Sequence, residues 1–70
     1  MVNINELRGY IAKKGISQRQ LAPKINMTET TFYAKMKKGV FGSDEIEGMI
    51  SELDMSPKEA AWIFFNLKVT

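Results

Sequence analysis

Five polar helix-start signals, at Asn3, Ser17, Thr28, Ser43 and Ser56, divide this chain into segments too short for anything but a bundle of small helices. Each is followed by apolar residues at a spacing of three and four, the period that puts them on one side of a helix, and no stretch alternates as a half-buried strand does. Asn3 with Glu6 makes a capping box, and Ile4, Leu7 and Ile11 carry the stripe to a stop at Gly15, so the first helix is expected over about residues 4–14. Ser17 with Gln20 repeats the box and opens a short second helix bearing Leu21, Ala22 and Ile25, ending near Asn26, a residue that tolerates the left-handed turn. Pro23 lies inside that helix, where it lacks an amide proton and crowds the carbonyl one turn back; a kink or an early end at Ala22 is expected.

Thr28 caps the third helix, Glu29 sits at its positive end, Phe32 and Met36 lie four apart on one face, and Gly39 stops it after Lys35, Lys37 and Lys38. Ser43 is expected to cap the fourth helix, with Asp44 and Glu45 in its first turn and Ile46, Met49, Ile50 and Leu53 as its buried stripe. Ser56-Pro57-Lys58-Glu59 combines a cap, proline at the first helical position and a capping-box glutamate; the fifth helix is expected to run through Leu67. The fold class is thus all-α, in one domain over 1–70, since 70 residues hold one small core.

Composition excludes whole classes of chemistry. Cysteine and histidine are both absent, which removes disulfides, thiolate nucleophiles, the imidazole base and nearly every zinc or haem site. No cofactor is expected. The carboxylates Asp44, Glu45 and Glu47 lie on the outer face of the fourth helix beside no partner base, so an enzyme is not expected either. The longest apolar run, Ala60 to Phe65, is far shorter than the roughly 20 residues of a membrane span, and no signal-peptide pattern opens the chain; a cytoplasmic protein is expected, with no membrane partner.

The net charge of +2 conceals its distribution. Residues 1–42 hold eight basic side chains against two acidic ones, a net +6, and residues 43–70 hold two basic against six acidic, a net −4. Such a division suits one face for a polyanion and another that stays away from it, although two ordinary solvated surfaces have the same composition. Two short helices joined by a tight turn, the second ending in lysines, have the layout of a helix-turn-helix reader of DNA.

Residues 17–32, Ser-Gln-Arg-Gln-Leu-Ala-Pro-Lys-Ile-Asn-Met-Thr-Glu-Thr-Thr-Phe, resemble the helix-turn-helix of the lambda-repressor and Cro (XRE-type) family. The later segments, Phe41 to Ile46, Leu53 to Pro57 and Ile63 to Phe65, are similar to small regulators of bacteriophages of Gram-positive hosts. The resemblance implies a compact five-helix lambda-repressor-like domain whose third helix enters the major groove, acting in the cytoplasm of a bacterial host. The chain departs from the family at Asn26, where glycine is usual, and at Pro23, where a helix former is usual.

With Phe32 and Met36 turned inward, Glu29, Thr30, Tyr33, Ala34 and Lys37 are expected to project outward as base readers. Glu29 suits a cytosine amino group, Thr30 and Ala34 a thymine methyl, and Tyr33 a base edge or a phosphate. Glu29 also has a plain role at the helix dipole. The family uses glutamine at the position of Gln18 to hold a phosphate, and Arg19, Thr28, Lys35 and Lys38 complete the expected phosphate contacts. Helix five has more apolar residues than one stripe hides: Ala60, Ile63, Phe64 and Leu67 are expected in the core and Trp62, Phe65 and Val69 at a partner surface, unless Trp62 simply covers the end of the bundle. The expected function is a sequence-specific, repressor-like regulator bound to double-stranded operator DNA as a homodimer. The alternative is an antirepressor or modulator that binds another phage repressor through its apolar surface.

Overall fold

The cap residues act locally, and most of them act as their spacing suggests. In the computed structural model, which describes residues 1–67, the helices are α1 (Ile4–Lys13), α2 (Gln18–Lys24), α3 (Glu29–Lys38), α4 (Ser43–Glu52) and α5 (Pro57–Phe65), with no strand among the described residues. Ser17 Oγ accepts from the Gln20 N–H at 3.0 Å and Gln20 Oε1 accepts from the Ser17 N–H at 2.9 Å; Ser56 and Glu59 form the same reciprocal pair. Thr28 Oγ1 accepts from the Thr31 N–H at 3.2 Å. Each bond satisfies an amide that the first helical turn leaves without a partner, and is worth about 1 kcal/mol.

Two starts differ from expectation. Asn3 occupies the cap of α1 but its side chain makes no cap bond; its ψ of 86° departs from the 156–163° of the other caps. Its N–H instead donates to the Ile63 carbonyl at 2.7 Å, so a long-range bond to α5 replaces the box with Glu6. At α4 the cap is Gly42, with Ser43 the first helical residue. Gly42 has no side chain to cap with, and the helix is closed from the other direction, by the Glu45 carboxylate accepting from the Gly42 N–H at 2.7 Å.

Pro23 neither ends nor truncates α2, which continues to Lys24. It costs the bond its N–H would have made to the Arg19 carbonyl, and both residues lie on the exposed side, where water can reach that carbonyl. The helix stops two residues short of Asn26, which takes the left-handed conformation (φ 58°) while the Met27 N–H closes onto the Ala22 carbonyl at 3.0 Å. Asp54 (φ 50°) does the same after α4, with the Met55 N–H on the Ile50 carbonyl. Asn66 (φ 55°) ends α5 before Leu67, which is therefore exposed and not part of the core.

Packing follows the apolar stripes. Phe32, Leu7, Ile11, Leu21, Met49 and Leu53 are wholly buried, and α2 lies against both α3 and α4 while α1 lies against α5. Ala22 is completely buried in α2. The turn after α2 packs tightly on α4: a Cβ on Gly48 would stand 2.9 Å from Ile25 Cγ2. Among the described residues no polar or charged residue is buried in the core.

Candidate nucleic-acid interface

α3 has two sides. Phe32 and Met36 are buried, Phe32 with its ring 5.6 Å from that of Phe41, and Glu29, Thr30, Tyr33, Ala34 and Lys37 are all exposed. The period of 3.6 residues sets Thr30, Ala34 and Lys37 on the side away from Phe32 and Met36, with Tyr33 at its flank; Glu29, seven positions before Met36, falls on the inward-facing side and is exposed at the first turn of the helix. Tyr33 stands edge-on to Phe32, with ring centroids 6.5 Å apart, and is 46% exposed, so the ring is supported from below while part of it reaches solvent.

The charged residues around this surface differ in freedom. Arg19 Nε lies 3.5 Å from Glu29 Oε2, joining α2 to the start of α3, with both side chains well exposed; such pairs contribute little to stability, about 0–1 kcal/mol, and open easily. Lys35, expected at a phosphate, is half-buried and its ammonium is held by Glu45 of α4. Burial pushes the Glu45 carboxyl up, but the Lys35 hydrogen bond, the Gly42 N–H and the Lys35 charge together outweigh it and hold the group below the ordinary range. Lys13 and Lys14 lie 5.9 and 5.3 Å from the centre of the Tyr10 ring. Tyr10 is buried, donates to Glu59 Oε1 at 3.0 Å, and has its phenol pushed upward chiefly by burial. The remaining cations of the basic half, Arg8, Lys24, Lys37 and Lys38, are exposed and have no carboxylate partner among the described residues.

Thr28 is engaged as the α3 cap, its hydroxyl also bonded to that of Thr31 at 2.9 Å. Gln18 is half-buried at the start of α2 and lines a depression of about 260 Å³ with Tyr33 and Arg8. Arg8 is the residue that sequence reading omitted. Its signal was its place in the basic half, four residues before Ala12 on α1, but its nearness to Tyr33 depends on how α1 packs.

The surface expected on α5 is divided. Trp62 is half-buried, packed against the core, and lines a depression between α1 and α5 with Glu6, Lys13 and Glu59. Phe65 is exposed and lines a different one with Met1, Val40 and Phe41. Val69 lies outside the described residues. Met1 and Val40 add exposed apolar area that the helical periodicity did not mark, since neither lies within a helix, and Leu67, expected in the core, is exposed beyond the end of α5. Among the described residues no three carboxylates gather as a metal site would need, and no helix is long and apolar enough to cross a membrane. No protein-family model, curated protein or solved structure matches the chain.

Proposed function

We propose that this protein is a sequence-specific DNA-binding regulator of transcription that lays α3 into the major groove of an operator. The observation that carries the reading is the outer side of α3: Thr30, Tyr33, Ala34 and Lys37 exposed together on a helix anchored from beneath by Phe32 and Met36. Thr30 and Ala34 meet thymine methyl groups, Tyr33 a base edge, and Lys37 with Lys38 the phosphates. Glu29 accepts from a cytosine amino group when Arg19 turns from it to a phosphate, an exchange that the exposed 3.5 Å pair permits at small cost. Lys35 contributes through its grip on Glu45, which ties the end of α3 to α4.

Two copies bind a pseudo-palindromic site, because one such module reads too few base pairs to stand out at about 1–3 kcal/mol per mismatch. The apolar surface around Phe65, Val40 and Leu67 supports the pairing. The test is titration onto duplexes selected from a randomised pool, at several salt concentrations. Lys37→Ala is expected to weaken all duplexes alike and to make the salt dependence shallower by about 0.9 in log–log slope, whereas Thr30→Ala changes which duplexes are preferred. A wild-type protein that selects no sequence at low salt overturns the reading; capture of a second repressor in its place favours the antirepressor role.

A further inference from the structure

Beside the outer side of α3 the fold leaves a groove between α1 and the start of α2. We infer that this groove seats the sugar-phosphate backbone of one DNA strand, with Arg8 as the side chain that neutralises its phosphate; the inference rests on the DNA-binding reading above. Tyr33 belongs both to the groove and to the exposed side of α3, so the groove opens directly alongside the proposed reading surface. A helix about 10–12 Å across fills a major groove about 12 Å wide, which brings the flanking strands against whatever lies at its sides.

The lining matches that occupant group by group. Ile11, buried, and Ile16, half-buried, offer an apolar floor for a deoxyribose, Ala12 lines the groove from the exposed side of α1, and Gln18 and Tyr33 offer neutral donors. Arg8 supplies the charge. Its planar guanidinium pairs with two phosphate oxygens at once, and no carboxylate among the described residues competes for it. The nearest acidic residue in the chain, Glu6, is two positions away on α1 and lines the depression shared with Trp62 instead, so the helix turns its carboxylate and its guanidinium to different flanks.

The test compares wild type, Arg8→Ala, Arg8→Lys and Lys37→Ala on one duplex selected by the wild type and on a mixed-sequence duplex, across a salt series. Arg8 is exposed, so the variants are expected to keep the wild-type circular dichroism. Arg8→Ala is expected to bind both duplexes roughly tenfold more weakly at low salt, with the log–log slope reduced by about 0.9 and the base preference unchanged. Arg8→Lys should keep the slope while losing part of the affinity, because a point charge replaces a fork. Ala12→Leu, which fills the groove without altering charge, should weaken binding and leave the slope as it is. If Arg8→Ala matches the wild type in affinity and slope while Lys37→Ala does not, the groove assignment is overturned and the reading of α3 stands. If the wild type binds no duplex, both are overturned.

Discussion

The first three helices and the last two expose different kinds of surface. α1, α2 and α3 present free cations and short polar groups, including Arg8, Thr30, Lys37 and Lys38, whereas α4 presents Asp44, Glu47 and Glu52 and the end of α5 presents Phe65 and Leu67. The interior does not divide in the same way. Ile25 of the turn after α2 meets Gly48 of α4, Lys35 of α3 holds Glu45 of α4, and Asn3 ahead of α1 donates to Ile63 of α5. A chain of 70 residues is too short for two cores, so its surfaces specialise while its interior is shared.

The largest expected effect breaks that shared interior. Phe32 is wholly buried beneath the exposed residues of α3, and Phe32→Ala is expected to cost about 3–5 kcal/mol, most of the stability of a domain this size. Urea unfolding followed by Trp62 fluorescence, which reports on the acidic half, should shift as far as unfolding followed by circular dichroism. An unmoved Trp62 transition would separate the halves.

Next comes the contact between the halves. Gly48→Val is expected to destabilise by about 1–3 kcal/mol, because the new Cβ meets Ile25 Cγ2 at 2.9 Å and a β-branched neighbour has little room to give. Gly9→Ala is the control: its Cβ meets nothing within 4 Å, and the substitution should stabilise α1 by roughly 0.5–1 kcal/mol in thermal unfolding.

The smallest effect is electrostatic. The Glu45 carboxyl is raised by burial but held low overall by Lys35 and the Gly42 N–H, so its folded value lies below its unfolded one. It therefore contributes stability above the unfolded value of about 4.3, and that contribution is lost as pH falls through the lower folded value. Glu45→Gln should shrink the difference in melting temperature between pH 7 and pH 3 by an amount equivalent to less than about 1 kcal/mol. Glu59, held low chiefly by the Ser56 amide, should preserve the rest of the acid response.

What could be read from the sequence was what neighbours in the chain decide. Ser17, Thr28 and Ser56 cap as their spacing indicates, and Phe32 and Met36 face inward, because three or four residues are enough to determine those contacts. Asn3 was misread because its partner, the Ile63 carbonyl, is sixty residues away, and Ser43 because Glu45 can cap from within the helix. Asn66 stops α5 by taking the left-handed conformation, which asparagine permits but does not require, so the apolar spacing alone carries α5 on to Leu67. An early end of α2 at Ala22 follows from propensity alone, but Pro23 and Arg19, the residue four before it, are both exposed and the helix continues to Lys24. The groove around Arg8 and the separation of Trp62 from Phe65 depend on how helices pack, which periodicity does not specify.

The division of labour between the halves is tested most directly by mapping backbone amide shifts in a nitrogen-15 NMR titration with a selected duplex that carries only one half-site. Binding is expected to move the amides of Gln18, Thr30, Tyr33, Ala34 and Lys37, leaving α4 and α5 in place. Shifts gathered on α4 and α5, or none at low salt, would contradict the account.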